Sequence, residues 1–316
     1  NNLGIDVTFL DGSLNGRFDW YVSTTKGTIT NVTTPPSTGF ASYTANLGEV
    51  ENKGWEAYLN WRVWNEKASM SYVTLYVSAS GNENTLKKVS NSLKSMNDVT
   101  DKDYDEKSEN TSVPVRYEEG ASMSTIWVVK SLGIDPETGK EVFRKKDGSL
   151  TYDWDSRDYV DGGDTRPKVS GNFGINAEWH GIGLNAGFTW RLGGQIYNTT
   201  LLNKVENADV HKNVDRRVFT DRWNTPGQVA RFKAISDDSS TQPTSRFVED
   251  YNLLTFSSLN VYYDFRECGF VKNSFLQRMK ATFYMNDIAT ISSVKTERGT
   301  SYPFARTFSF SLQVTF

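Results

Sequence analysis

The sequence predicts an all-β fold, a transmembrane antiparallel up-and-down β-barrel, and three observations carry that prediction. Apolar residues recur at every second position in about nine segments spread along the chain. Those segments run to about ten residues, the length a tilted strand needs to cross a bilayer. The connections between them alternate, short then long. In an up-and-down arrangement this gathers the short turns at one end and the long loops at the other.

The segments follow in order. Residues 1–10 set Leu3, Ile5, Val7 and Phe9 on one face, and residues 17–25 follow the turn DGSLNG. WEAYLNWRVW aligns Trp55, Ala57, Leu59, Trp61 and Val63; the turn NEK leads to SYVTLYVSA, which aligns Val73, Leu75, Val77 and Ala79. VSGNFGINAEW groups Phe173, Ile175, Ala177 and Trp179, and after a turn at 180–181, GLNAGFTWRL groups Leu184, Ala186, Phe188, Trp190 and Leu192. LLTFSSLNVYYDF aligns Leu259, Val261, Tyr263 and Phe265, and RMKATFYM aligns Met279, Ala281, Phe283 and Met285. FARTFSFSLQVTF closes the series with Phe308, Phe310, Leu312, Val314 and Phe316.

The opposite faces are polar or small. Asn172, Gly174, Asn176 and Glu178 precede Asn185, Gly187, Thr189 and Arg191. Such a lining suits a wide hydrated or plugged lumen, its glycines leaving room for a plug. At about 2.5 Å per residue along the membrane normal, Arg306 falls about 25 Å above Phe316, where its guanidinium reaches headgroups.

Long polar stretches at 26–50, 80–168, 193–250 and 288–303 are expected as extracellular loops, too long to be passive connectors. Within the second, SMSTIWVVKSLGIDPETGKEVF reads as strand, turn and strand above the barrel, and NTLKKVSNSLKSM as a short helix. Mean hydropathy is -0.55, and no apolar run reaches the roughly 18 residues of a membrane helix. One Cys excludes an internal disulfide, and 2 His argue against a His-rich metal site. The net charge of -3 comes without a basic block, which argues against nucleic acid as a partner. The chain opens on a strand at Asn1 and reads as part of a longer protein.

Motifs of chemistry fail on context. GIGLNA matches a dinucleotide fingerprint in letters but lies inside a strand, not at a strand-to-helix turn. DKDYDEKSEN spaces Asp101, Asp103 and Asp105 as a calcium loop does, yet Glu106 stands where that loop needs Gly and Ser112 where it needs Glu. It reads as a solvated acidic loop, and no cofactor is expected, with a looser calcium site in the acidic loops left as the alternative. Three N-x-S/T sequons, at Asn31, Asn110 and Asn198, read as accidental. Glu56 and Glu178 fall on inward faces, but nothing assigns them acid and base roles, so no enzyme activity is expected.

Seven segments in order resemble the C-terminal barrel portion of SusC-type TonB-dependent outer-membrane transporters. They are NLGEVENKGWE, GIDPETGKEVF, GGDTRPKVSGNFG, RLGGQIYNTTLLNKVEN, DRRVFTDRW, TSRFVEDYNLLTFSSLNVYYDF and YPFARTFSFSLQVTF. The resemblance implies a 22-stranded barrel, with the plug domain and earlier strands absent from this chain. It implies a SusD-like lipoprotein lid, the TonB–ExbB–ExbD complex as the energy source, and oligosaccharide as cargo, with peptide as the alternative. A porin or adhesin without energised transport is the competing reading. Under the resemblance Phe316 stands at the aromatic end by which outer-membrane proteins are recognised for assembly. For cargo, loop aromatics that stack on sugar rings are the expected contacts, and Trp127, Trp154, Tyr159, Tyr197 and Trp223 are the candidates.

Overall fold

Alternating side chains can be satisfied only by pairing into a sheet with two unlike faces, and that sheet is what forms. The computed structural model describes residues 1–33, 39, 42–69, 71–107, 109–209, 211–295 and 306–316. In chain order the strands are β1 (Asn2–Phe9), β2 (Leu14–Thr33), β3 (Ser42–Glu66), β4 (Ser71–Val89), β5 (Thr125–Ile134), β6 (Glu141–Arg144), β7 (Leu150–Thr151), β8 (Tyr159–Asp164), β9 (Val169–Trp179), β10 (Ile182–Tyr197), β11 (Val248–Asp264), β12 (Arg278–Ser292) and β13 (Thr307–Thr315). Nine of them make one sheet in the order β1-β2-β3-β4-β9-β10-β11-β12-β13, antiparallel throughout. Among the described residues the sheet is open: β1 and β13 each have a single partner. Among the described residues no helix is long and apolar enough to cross a membrane.

The register carries apolar residues from strand to strand in rows. Val7, Gly16, Leu59, Val77, Phe173, Phe188 and Phe256 share one row; Leu184, Val261, Phe283 and Phe310 share another. In the first row Phe173 and Phe188 stack at 4.9 Å, and Phe188 and Phe256 at 4.5 Å. This face points away from the protein. Leu3, Ile5, Phe308, Phe310 and Phe316 are all more than half exposed. In water so broad an apolar surface would drive aggregation, whereas in a bilayer it matches its solvent.

One residue keeps β11 in phase. Gly187 pairs with Ser258 and Phe188 with Phe256, so Ser257 is extra against β10, and its hydroxyl donates to the Gly187 carbonyl at 2.9 Å. Above that bulge Leu254 and Phe256 join the apolar rows; below it Leu259 and Val261 do. An extra residue in one strand is what lets even and odd positions serve the same face.

The inward glycines do a different job from the one expected of them. Tyr21 pairs with Gly54, Tyr76 with Gly174 and Tyr262 with Gly183, and in each pair a Cβ on the glycine would collide with the tyrosine. The space therefore houses a neighbour's ring rather than a plug, a cross-strand pairing of aromatic on glycine. Gly183→Ala is expected to cost about 1–3 kcal/mol through overpacking. Denaturant unfolding of the membrane-inserted protein would measure this. A Tyr262→Ala partner change should recover part of the loss, and an unaffected Gly183→Ala variant would refute the packing role.

The strands overrun the expected loops. β2 has 20 residues and β3 has 25, so most of 26–50 is hairpin rather than loop. β4 continues to Val89, β10 to Tyr197 and β12 to Ser292, and β11 begins at Val248. A bilayer sets the shortest crossing strand, not the longest, and hydrogen bonding continues wherever a partner runs alongside. The expected 288–303 loop falls partly at 296–303, outside the described residues, as do Pro35 and Pro36.

Between β4 and β9 the chain builds the small structure foreseen above the barrel. Helix α1 (Asn91–Glu106) begins at Ser90, whose side chain accepts from the Leu93 amide. It starts later than the NTLKKV letters suggested, because 83–89 belongs to β4. β5 and β6 form the expected strand, turn and strand within a second sheet ordered β7-β6-β5-β8. A core of Ile126, Val128, Tyr197, Leu201, Leu202, Val205, Val218, Phe232 and Phe247 joins this sheet to residues 197–247.

Candidate functional site

Two surfaces offer chemistry: the polar inner wall and the layer made by the two longest loops. On the inner wall Arg17, Asp19, Tyr21, Glu56, Tyr58, Ser78 and Ser80 line a broad concavity of about 1110 Å³. Arg17 donates to Asp19, two residues along β2, at 2.6 Å. Farther along, Asn176, Asn185 and Asn260 stand side by side on β9, β10 and β11. Beyond them the Tyr262 hydroxyl donates to Glu178 at 2.6 Å, and the Lys280 ammonium sits 3.6 Å from the Tyr262 ring centre. The wall is thus dense in hydrogen-bonding groups and close to balanced in charge.

Glu56 and Glu178 do not form a hydrolytic pair. Glu56 is in register with Ser80, which is in register with Ser170. Glu178 lies eight residues farther along β9, about 26 Å at 3.3 Å per residue, well beyond the roughly 5–10 Å of a glycosidase pair.

The loop layer is stitched together. Val129 and Ser131 on β5 donate their amides to Pro243 carbonyl and Ser245 Oγ, at 3.1 and 2.9 Å. Gln242 donates to the Tyr104 carbonyl of α1 at 2.7 Å. At the centre Arg246 donates to Glu141 at 2.7 Å and to Glu206 at 2.5 Å. Thr244 donates its hydroxyl to Glu141 at 2.6 Å, and Thr241 to Glu206 at 3.2 Å. Arg222 reaches the Val205 carbonyl at 2.6 Å and the Glu206 carbonyl. Glu141, Glu206 and Arg222 are at most 7% exposed. Burial opposes the Arg246 charge, but the two carboxylates outweigh it and hold its pKa above the ordinary arginine value.

The five candidate aromatics serve this layer's interior. Trp127, Tyr159 and Tyr197 are buried. Trp127 donates its indole N–H to the Arg116 carbonyl at 2.9 Å, and Tyr159 meets Tyr104 and Trp154 edge-on. Trp154 donates to the Pro243 carbonyl at 3.0 Å. Trp223 donates to the Pro136 carbonyl at 2.7 Å while its ring covers Gly139, in the β5–β6 turn. A buried ring cannot stack on a sugar, which removes Trp127, Tyr159 and Tyr197 from a cargo surface in this conformation, whereas Trp154 and Trp223 are only partly buried. Ordered loops of this size need cores, and large aromatics supply them. The central residues Glu141, Glu206, Arg222 and Arg246 carry no periodic or motif signal in the sequence; they lie in GKEVF, KVEN, TDRW and TSRF, where buried and surface charges look alike.

The acidic run is helical, not a solvated loop. Residues 101–106 complete α1. Asp101 pairs with Arg116, Asp103 accepts from Lys107 at 2.5 Å and from Asn110 at 2.9 Å, and Asp105 accepts from Ser156 Oγ at 2.9 Å. The three carboxylates are engaged in three directions. Among the described residues no group of three or more His, Cys, Asp or Glu converges as metal ligands do. Phe316 lies at the short-turn end, stacked 5.8 Å from Phe275 and largely exposed.

Comparison with known proteins agrees with this geometry. No protein-family model matches the chain. TonB-dependent receptor P39 of Formosa agariphila is 23% identical over 91% of the chain, and receptor P3 of the same organism is 25% identical over 100% of it. This chain resembles a SusC-type TonB-dependent receptor. It spans 31% and 34% of those two relatives, about a third of their length. Two solved structures share the fold. A structure of the RagAB peptide transporter covers 93% of the chain and 32% of its own, with a TM-score of 0.73 at 17% identity. The RagAB peptide importer in an open-open state covers 100% and 34%, with a TM-score of 0.77 at 18% identity. The sheet and the relatives together place the chain in a bacterial outer membrane, and the relatives are receptors, not enzymes.

Proposed function

We propose that this chain forms part of the wall and the outer loop layer of a TonB-dependent importer of oligomeric nutrient, working with a SusD-like surface lipoprotein. The observation that carries the reading is the nine-stranded sheet itself, apolar on one face, polar on the other and open at β1 and β13. An unpaired edge cannot stand in hydrocarbon, so further strands complete the barrel in the membrane. The polar inner wall then faces a lumen wide enough to need a plug, and a plug that must move needs an energy source.

Oligosaccharide is the cargo this reading started from. Peptide is the second reading, favoured by two observations. The aromatics chosen for sugar stacking are engaged in loop packing, and the similar solved structures are of the RagAB peptide transporter and importer. The test is uptake by cells carrying the membrane-embedded protein, with labelled peptides and labelled oligosaccharides in parallel. Uptake of one class is expected to stop when the proton-motive force is dissipated. Uptake indifferent to that treatment would favour the porin reading and sink this one.

Deleting Phe316 is expected to reduce the amount of protein assembled at the cell surface, read by surface labelling against total protein. Unchanged assembly would remove the role given to this residue.

A further inference from the structure

One concavity on the inner wall carries a charge that its own lining does not balance. It measures about 430 Å³ and is lined by Arg62, Asn65, Tyr72, Thr74, Asn176 and Asn185. The register explains the grouping. Arg62 on β3 faces Thr74 on β4, which faces Asn176 on β9, which faces Asn185 on β10. Asn65 and Tyr72 face each other in the next polar row toward the short turns. Thr74 and Asn176 lie two residues from the inward pair Tyr76 and Gly174, so the row is on the inner face. The described lining holds one guanidinium, three carboxamides, two hydroxyls and no carboxylate. Glu178, opposite Tyr72, is the wall carboxylate beside this row, and it accepts from the Tyr262 hydroxyl at 2.6 Å. Arg62 is exposed and, among the described residues, makes no ion pair or side-chain hydrogen bond.

These groups restrict what the concavity takes. A guanidinium repels a cation, and a neutral sugar leaves it without a counter-charge. A phosphate brings close to two negative charges against one positive. A carboxylate matches both the charge and the planar fork of donors. The carboxamides add a second requirement, since each donates and accepts as a peptide group does. At a strand spacing of about 4.8 Å, the row from Arg62 to Asn185 is about 14 Å long, the span of about four extended residues. We infer that this concavity receives the carboxyl terminus of a peptide cargo, its carboxylate on Arg62 and its last peptide groups along Thr74, Asn176 and Asn185. This rests on the peptide reading given above.

The experiment measures uptake of labelled mixed tetrapeptides, with free or amidated carboxyl termini, by cells carrying the membrane-embedded protein. The parent is expected to take up the free form with a half-saturating concentration about tenfold below that of the amidated form, since a hydrogen bond to a charged group contributes about a factor of ten or more. Arg62→Gln should erase that difference by weakening uptake of the free form alone, and Arg62→Lys should keep part of it. Rates are taken per copy at the surface. A parent that imports both forms equally well overturns the inference, whether or not the variants assemble. So does Arg62→Gln slowing both forms alike while lowering the denaturant midpoint without cargo, because the concavity then holds a segment of the protein itself. A parent that imports neither form fails the peptide reading as well.

Discussion

Replacing Arg246 by methionine is expected to destabilise the loop layer by about 3–5 kcal/mol, because it leaves two carboxylates buried without their cation. Glu141 would keep only the Thr244 hydroxyl as a close partner, and Glu206 only Thr241. The hydrophobic gain from the methionine does not offset a stranded charge. The measurement is amide exchange in the membrane-embedded protein. Protected amides such as Val129, which bonds across to Pro243, should exchange at least a hundredfold faster, since about 1.4 kcal/mol is a factor of ten. Replacing Arg246, Glu141 and Glu206 together by apolar residues should restore most of the protection, since replacing a whole buried ionic group with apolar side chains is often neutral. Exchange at the parent rate in the single variant would show that the pair contributes nothing to holding the loops.

Placing a charge on the outer face should be the second large effect. Leu184 shares its row with Val261, Phe283 and Phe310, and Phe310 lies near the middle of the final strand. Leu184→Arg is therefore expected to cost about 2–4 kcal/mol in a bilayer, the penalty for a guanidinium near the midplane. Asn185→Arg, one residue along and on the opposite face, meets the inner wall and should cost far less. Denaturant titration of the protein refolded into lipid vesicles would compare them. The reverse order would mean that the faces are assigned the wrong way round.

The barrel was legible because period-two alternation is a direct print of a two-faced sheet. Phe308 to Phe316 announces its face without help from any other strand. Glu56 and Glu178 were also placed correctly on the inner side, since parity alone decides that. Strand ends were not legible. Nothing in TKGTITNVTT says whether a strand stops at the membrane edge; the answer depends on a neighbour that keeps pairing, as β3 does. The loop layer was least legible. Trp223 and Trp154 look the same in sequence whether they face a ligand or a proline carbonyl, and Arg246 finds its carboxylates 40 and 105 residues away. Contacts of that separation leave no local pattern. The glycines were misread for a related reason: an empty place on one strand is meaningful only once the facing residue is known, and for Gly183 that residue is Tyr262.

The bulge at Ser257 has a consequence for chain length. Elsewhere in a barrel strand, losing one residue turns every later side chain to the wrong side. On β11 the serine that is extra against β10 is itself the compensation between an even-numbered outer set and an odd-numbered one. Removing it would leave Leu254, Phe256, Leu259 and Val261 in strict alternation. This is a point where a descendant of this sequence can shorten by one residue and keep its greasy side outward, at the cost of the local twist and of the bond to Gly187.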